Sequence, residues 1–240
     1  PPDPPDLPAP TRHAVTLAAG TDHETACHVF DSGHEGEVVL VLAGIHGDEP
    51  APPVAAGRIA GWSVERGKLL VVPVASPPAL RAGTRHIPGA MPVDLNRQFP
   101  SASALELGHA AAEALWRVIV DERVTWLVDL HEGWDFHKIN PKSIGSSVTW
   151  VPNARSADAA LEMAERVLGA INGAETRPRH PFVLVSPGPA RSVARAVSEQ
   201  HGIASLVIET TKVGQPIETR VVQHELAVRE VLARLGMLGS

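Results

Sequence analysis

Three apolar stretches of this sequence each run into side chains that bind divalent metals. The first ends in His46 and Glu49, three positions apart, the second in His131 and the third in Glu209. Two histidines and one carboxylate are typical protein ligands of a catalytic zinc ion, whose fourth position stays open for water or substrate, and a further glutamate can act as a base. These residues therefore predict a zinc hydrolase with one Zn²⁺ per chain.

The spacing of His46 and Glu49 is a weak signal by itself, because such pairs arise by chance and a lone histidine is usually a surface residue. Its setting strengthens the prediction. Gly44 and Gly47 flank the histidine and permit a tight turn, and a helix-like segment follows at Pro50. A third ligand candidate lies 85 positions downstream of His46, also after an apolar run.

Composition limits the class of protein. The chain has 240 residues, of which 44% are hydrophobic and 20% charged, so it is long enough for one sizeable core. Its net charge of -6 gives no basic face for nucleic acid or an anionic membrane. No apolar run approaches the roughly 20 residues of a membrane span. The single cysteine, Cys27, cannot form an internal disulfide or a thiolate cluster, so nitrogen and oxygen must hold any metal.

Periodicity places these motifs on secondary structure. Two-residue alternation and short apolar runs predict eight strands, at His13 to Ala18, Thr25 to Phe30, Glu37 to Ala43, Leu69 to Ala75, Val124 to Leu130, Ser147 to Val151, Phe182 to Val185 and Ala204 to Ile208. Spacing of three and four residues predicts helices at Ala104 to Val120, Ala157 to Ile171, Ala190 to His201 and Ile217 to Leu235.

Several strands are apolar on both faces, and helices separate many of them. This pattern indicates a three-layer α/β/α sandwich around a mixed, largely parallel sheet. Ligands of such sheets gather beyond the carboxyl ends of the strands. If the strands run parallel, His46, Glu49, His131 and Glu209 emerge at one edge.

We divide the chain into a proline-rich leader, residues 1–11, and a single hydrolase domain, residues 12–240. The missing initial methionine indicates that an upstream segment has been removed, so both the cytoplasm and export to a periplasm stay open as locations. The stretch from Ser76 to Pro100 has no helix or strand pattern, and long irregular segments are often functional.

That stretch carries Asp94-Leu-Asn-Arg-Gln-Phe-Pro. His-Gly-Asp-Glu, then Asp-Leu-Asn-Arg-x-Phe-Pro, then a strand-end histidine and a strand-end glutamate, in this order, resemble the zinc carboxypeptidase superfamily and its fold. Arg-Ala-Gly-Thr-Arg, ending at Arg85, and Asp-Leu-His-Glu-Gly, beginning at Asp129, are most similar to the branch of succinylglutamate desuccinylase and aspartoacylase. The resemblance covers about Glu37 to Arg220.

The resemblance implies a role for each motif residue. His46, Glu49 and His131 would bind zinc, and Glu209 would take a proton from the water that the metal activates. Asn96 and Arg97 would hold a free carboxylate of the substrate, and Arg85 would stabilise the developing oxyanion. Elementary chemistry agrees, because a carboxylate can relay a proton to the leaving nitrogen, and the arginine fork suits a planar carboxylate.

Two aspartates are candidates for supporting the ligands, since zinc-bound histidines usually donate their other ring hydrogen to a carboxylate. Asp94 could orient His46 or could equally be a turn aspartate. Asp129, two positions before His131, would point to the same side of a strand. Glu132 competes with Glu209 as base, but in a continuing strand it points away from His131.

The chain departs from the family pattern in two ways. It contains no tyrosine, so the tyrosine that typical members place over the substrate cannot be present. Only 31 residues follow Glu209, whereas the desuccinylase and aspartoacylase type carries a β-rich domain after the catalytic one. We therefore expect a more open pocket.

We predict hydrolysis of an amide bond near a free carboxylate, most plausibly deacylation of an N-acyl amino acid. A metallocarboxypeptidase or murein-peptide amidase on the same scaffold is the first alternative. A non-catalytic, metal-dependent carboxylate-binding module is the second. The expected partner is a small molecule or short peptide with a free carboxylate, and neither nucleic acid nor membrane. The sequence leaves the oligomeric state open.

Overall fold

The computed structural model describes residues 8–153, 155–175 and 180–239. All eight predicted strands are present within one or a few residues of their expected ends. They are β1 (Thr11–Leu17), β2 (Thr25–Asp31), β3 (Val38–Leu42), β4 (Lys68–Val72), β5 (Trp126–Gly133), β6 (Ser147–Trp150), β7 (Val183–Val185) and β8 (Ala204–Thr211).

Six helices lie within the described residues. They are α1 (Ala51–Ile59), α2 (Pro77–Ala82), α3 (Ala110–Asp121), α4 (Ala157–Ala174), α5 (Val193–His201) and α6 (Ile217–Arg234), with a short 3₁₀ turn at Leu95–Arg97.

The strands form one sheet in the order β1-β2-β4-β3-β5-β8-β6-β7. The four central strands, β4, β3, β5 and β8, are parallel to one another. On the flanks, β2 runs antiparallel to β4 and to β1, and β6 runs antiparallel to β8 and parallel to β7. The sheet is mixed with a parallel centre, as the sequence predicted.

Helices cover both faces of the sheet. Alternate strand residues such as Val41 and Val128 pack with α1, α4 and α6 on one face. The intervening residues, such as Leu42 and Leu127, pack with α3 and α5 on the other. Because side chains of a strand alternate between faces, this double covering explains the runs without a polar side. The prediction of a three-layer α/β/α sandwich is confirmed.

One predicted helix begins later than expected, and a stretch expected to lack helices contains two short ones. The helix expected from Ala104 begins at Ala110, where the His109 side chain accepts a hydrogen bond from the backbone of Ala111. Leu105 upstream is 71% exposed, so the apolar residues there do not continue the buried face of α3. The stretch from Ser76 to Pro100 is not irregular throughout, since it contains α2 and the 3₁₀ turn. Both are too short to show periodicity.

β5 and β8 continue beyond their predicted ends, to Gly133 and Thr211. His131 and Glu209 therefore lie within strands and do not follow them. Residues 1–7 of the predicted leader lie outside the described residues, and its last residue, Thr11, is the first of β1. Within the described part of the chain, no helix combines the length and apolar character needed to cross a membrane.

Candidate metal and active site

His46 sits in a tight turn between β3 and α1. Gly44 has a left-handed φ of +65°, and a Cβ there would lie 2.8 Å from the Pro73 carbonyl oxygen. Gly47 contacts the backbone of α2 so closely that a Cβ would come within 1.8 Å of the Ala79 carbonyl oxygen. Its N–H donates to the carbonyl of Thr84. The two glycines let the chain reverse between packed elements and hold His46 at the sheet edge.

His46, Glu49 and His131 converge at this edge. Nδ1 of His46 lies 2.7 Å from Oε1 of Glu49, and Nδ1 of His131 lies 2.9 Å from Oε2 of the same carboxylate. All three side chains are buried, and the possible ligand atoms lie within 4.8 Å of one another. Two loop residues and one strand residue thus form a cluster that could hold a metal ion.

The opposite nitrogen of each imidazole faces an aspartate. Nε2 of His46 lies 3.2 Å from Oδ1 of Asp94, and Nε2 of His131 lies 3.1 Å from Oδ2 of Asp129. Asp94 also accepts a hydrogen bond from the backbone of Asn96, so it is a turn aspartate as well as a partner of His46. This arrangement fixes the rings and leaves both Nδ1 atoms directed at Glu49.

The electrostatics of the cluster favour positive charge. Burial alone would lower the pKa of His46, but hydrogen bonds to Asp94 and Glu49 outweigh it and raise the pKa above its usual range. The pKa of His131 rises further, because Asp129 and Glu49 outweigh its burial. Despite its own burial, the pKa of Glu49 is lowered by both histidines. Surroundings that favour a charged imidazole also favour a cation between the rings.

Arg85 and Arg97 bring two cations to the rim. Nη1 of Arg85 lies 3.6 Å from Oε1 of Glu49, and its Nη2 lies 3.3 Å from Oδ2 of Asp94. Arg97 is half-buried, donates to the carbonyl of Asn96 and forms no ion pair among the described residues. Burial lowers its pKa, so an anion at this position would be stabilising.

Asn96 is buried, and both ends of its side-chain amide contact other residues of the protein. Its Nδ2 lies 3.2 Å from Nε2 of His131, and its Oδ1 accepts a hydrogen bond of 3.0 Å from the backbone N–H of Val193. It therefore ties the third candidate ligand to the start of α5. Its predicted contact with substrate stays a prediction.

Glu209 lies on the same face of the sheet as His131, because the two residues pair directly across β5 and β8. It is half-buried at the wall of the cavity. Burial, with the nearby carboxylates of Glu49 and Asp129, raises its pKa to about 8, against the opposing effect of His131. A carboxyl group with such a pKa is suited to take up and release a proton near neutral pH.

Glu132 lies on the opposite face, as the strand alternation predicted. Its carboxylate pairs with Arg220 of α6 and accepts a 3.0 Å hydrogen bond from the backbone N–H of Ala51 at the start of α1. Its own N–H donates to Oε2 of Glu49 at 3.1 Å. Glu132 therefore supports the site through its backbone contact with Glu49, while its carboxylate is held on the opposite face of the sheet.

The triad opens into a cavity of about 480 Å³, which the predicted residues line together with several that the sequence did not single out. Trp134, 54% exposed, stands at its mouth, and Lys212 on its wall pairs with Asp48. Further lining comes from three strand residues and from the loop before α5; they are Thr149, Val185, Val207, Pro187, Gly188, Pro189 and Ser192. These are ordinary strand and loop residues, and only their register reveals a shared surface.

The donor set fits a divalent metal of the zinc type. It offers two imidazole nitrogens and one carboxylate, with partners on the far nitrogens and an adjoining cavity for a substrate. His46, Glu49 and His131 form the possible ligand set.

The chain is similar to proteins of one known family. The family model of the succinylglutamate desuccinylase/aspartoacylase catalytic domain matches residues 35–235. A succinylglutamate desuccinylase from Burkholderia orbicola is 36% identical over 111 residues, 39% of this chain and 30% of that protein. One from Burkholderia thailandensis is 31% identical over 151 residues, covering 49% and 42%. The matches span less than half of these relatives.

Solved structures show the same fold. An aspartoacylase family protein from Mesorhizobium loti superposes with a TM-score of 0.71 at 21% identity, covering 98% of this chain and 69% of that one. The tripeptide-bound cell shape determinant Csd4 from Helicobacter pylori gives a TM-score of 0.70 at 20% identity, covering 95% and 56%. At such identities the likeness establishes the fold alone.

Proposed function

Because the chain belongs to the succinylglutamate desuccinylase/aspartoacylase family, we propose that it is a zinc-dependent hydrolase that removes the acyl group from an N-acyl amino acid. The observation that carries this proposal is the alignment of the candidate metal triad with Glu209 along one cavity wall. A triad alone would also suit a metal-dependent binding module. A half-buried carboxyl group beside it, with a pKa raised to about 8, supports proton transfer.

His46, Glu49 and His131 would hold the zinc ion, which when bound supplies Lewis acidity at the carbonyl and acidifies water. The chain's own groups account for the remaining chemistry. Glu209 accepts a proton from the attacking water and returns it to the leaving nitrogen. Arg85, at the rim beside Glu49, donates hydrogen bonds to the oxygen that gains negative charge.

Arg97 holds the free carboxylate of the substrate. It is half-buried, lines the cavity and has no carboxylate partner of its own among the described residues, so a substrate carboxylate can occupy its guanidinium fork. Asn96 beside it ties this position to His131. The distance between the bound carboxylate and the scissile amide is thereby set by neighbouring residues of one turn.

A carboxypeptidase is the second candidate. It shares every group named above and differs only in the acyl part, which would be a peptide. The cavity favours this possibility by its size, about 480 Å³ with an exposed tryptophan at the mouth. A Csd4 structure is described as that of a D,L-carboxypeptidase, so the fold also serves that chemistry.

Steady-state kinetics of the zinc-loaded protein tests both candidates. We expect release of the free amino acid from N-acetyl, N-succinyl or N-benzoyl amino acids, and none from the same compounds with an amidated carboxyl group. Cleavage of dipeptides and tripeptides without cleavage of simple acyl compounds would favour the carboxypeptidase. If neither set is turned over while zinc is bound, the hydrolase proposal is wrong.

A further inference from the structure

The part of the cavity lining formed by Val207, Thr149, Val185, Pro187, Gly188, Pro189 and Ser192 is largely apolar and contains no lysine or arginine. From this, and resting on the proposed function, we infer that the substrate is an N-acyl derivative of an amino acid with a neutral, apolar side chain. The names of other family members refer to glutamate and aspartate derivatives as substrates. The cavity wall described below lacks the cationic groups that would pair with an acidic side chain.

The floor of this subsite is a row across three strands. Val207 of β8 pairs with Thr149 of β6, and Thr149 pairs with Val185 of β7. Directly paired residues point to the same face, so the three side chains form a continuous strip. Val207 also lies two residues before Glu209, about 7 Å along the strand, on the same face. The strip is therefore close enough to Glu209 for one substrate molecule to contact both.

The wall of the subsite is formed by Pro187, Gly188, Pro189 and Ser192, which bring two prolines and no charged group to the cavity lining. A Cβ placed on Gly188 would lie 3.6 Å from the methyl group of Thr149. Hence the Thr149 methyl faces this backbone across the strip. The hydroxyl of Ser192 is used as a helix cap, accepting from the backbone of Arg195.

The same segment is joined to the carboxylate-binding turn. The backbone of Val193 donates to Oδ1 of Asn96 at 3.0 Å, and Nε of Arg191 donates to the carbonyl of Arg97 at 2.9 Å. The apolar surface thus adjoins the residues that would hold the free carboxylate. In an N-acyl amino acid, the side chain is attached to the same carbon as the carboxylate, and we place this side chain on the strip while the acylated nitrogen faces Glu209.

Three of the four lysine and arginine side chains on the cavity lining are paired with an aspartate or assigned to another part of the substrate. Lys212 pairs with Asp48, and Arg85 pairs with Asp94. Arg97 is the proposed holder of the main carboxylate, and Lys142 is exposed in the segment after β5.

On the neighbouring strand β5, Asp129 pairs directly with Val207, and Oδ1 of its carboxyl group has no hydrogen-bond partner among the described residues. A glutamate or aspartate side chain on the strip would lose water without gaining a cation to pair with.

The test measures kcat/KM for N-acyl derivatives of leucine, glutamine and glutamate. All three carry the same acyl group, which is whichever of acetyl, succinyl and benzoyl gives the fastest turnover. Glutamine separates the charge of glutamate from its size. We expect the order leucine, glutamine, glutamate, with leucine at least about tenfold above glutamate. Equal or better turnover of the glutamate compound would overturn the inference.

A variant adds the missing charge. Val185→Lys, at the half-buried end of the strip, should lower the leucine-to-glutamate ratio by about tenfold, because the ammonium group can partner the acidic side chain. Val222→Lys, on an exposed position of α6, is the matched control and should leave the ratio unchanged. An unchanged ratio in a folded Val185→Lys protein would contradict the location of the subsite.

Calorimetric binding of the same compounds to zinc-loaded Glu209→Gln protein separates the two proposals. If no compound is hydrolysed by the wild type but leucine derivatives bind more tightly than glutamate derivatives, the subsite stands and the hydrolase proposal fails. If no compound binds, or the glutamate derivative binds best, the inference about the subsite fails.

Discussion

His131 and Glu209 are directly paired residues of the parallel strands β5 and β8, so their side chains share one face of the sheet. Within a buried sheet, a histidine and a glutamate in register are costly unless both have partners. His131 finds its partners in Glu49 and Asp129, whereas Glu209 faces the cavity and has its pKa raised to about 8. The pair thus combines a candidate ligand with a candidate base on one rigid support.

Replacing Glu209 by glutamine should separate proton transfer from metal binding. We expect kcat to fall by about 10²- to 10⁴-fold, while the zinc content stays at the wild-type value, because glutamine keeps the shape but cannot accept a proton. Glu162→Gln, in an exposed pair with Arg234, is the control and should retain full turnover. Unchanged kcat in Glu209→Gln would show that another group is the base.

Removing a candidate ligand should remove the metal. We expect elemental analysis to find about one zinc per wild-type chain, and His46→Ala or His131→Ala protein to lose nearly all of it, since three protein ligands are needed to hold the ion. His13→Ala, on the exposed part of β1, should retain the metal.

Zinc should also raise the melting temperature of the chelator-treated wild type but not of the two ligand variants. Full zinc content in either variant would refute the proposed ligand set.

How much of this site the sequence revealed depended on whether a residue carries its own signature. His46, Glu49 and His131 have metal-ligand side chains after apolar runs, and the structure brings them together. Thr149 and Val185 have no such signature. They join the cavity only through the register of β6 and β7, which depends on long-range pairing that local periodicity does not encode.

The same reasoning explains the errors in secondary structure. Helix α2 has only six residues, too few to show a period, and its two leading prolines look like loop residues in the sequence. The end of β5 was placed too early because His131 and Glu132 are polar. Each polar side chain is satisfied on its own face, by Glu49 on one side and by Arg220 on the other.

Breaking the buried ion pair of Glu132 and Arg220 should strongly destabilise the protein, because one charge is left without a partner. Both residues are buried, and Arg220→Met would leave the Glu132 carboxylate without its cation. We expect urea unfolding to show a loss of about 3–5 kcal/mol. Arg58→Met removes an exposed pair with Glu218 and should have no measurable effect. Equal stabilities of the two variants would mean that Glu132 is held by other contacts.

Cys27 should be unreactive in the folded protein. Burial, with a contribution from Glu122, raises the pKa of its thiol from 9.0 to about 12. The reactive thiolate is therefore scarce at pH 8, and we expect a thiol reagent to modify the unfolded chain far faster than the native one. Rapid native labelling at pH 8 would contradict this expectation.

The same pKa shift makes stability depend on pH. The folded state holds the thiol proton more tightly than the unfolded state, so this contribution is complete below pH 9 and is lost as the pH rises from 9 towards 12. The free energy of unfolding of the wild type should approach that of Cys27→Ala over the accessible part of this range. A constant difference between pH 8 and 10.5 would show that the thiol pKa is alike in both states.

Among the glycines of the turn between β3 and α1, which carries His46, Gly47 should be the least replaceable. A Cβ at this position would lie 1.8 Å from the Ala79 carbonyl oxygen, which belongs to backbone and cannot rotate away. Gly47→Ala should therefore displace the turn from α2 and lower both stability and zinc affinity. Gly57→Ala is the matched control, because a Cβ there meets nothing within 4 Å in α1.

In that exposed helical position, alanine should stabilise the protein by about 0.5–1 kcal/mol. Chemical unfolding and zinc titration of the two variants check both expectations. Opposite signs of the stability change support the close packing of the turn, and zinc affinity should fall only in Gly47→Ala. Wild-type affinity in that variant would mean that the turn can hold His46 and Glu49 without its contact to α2.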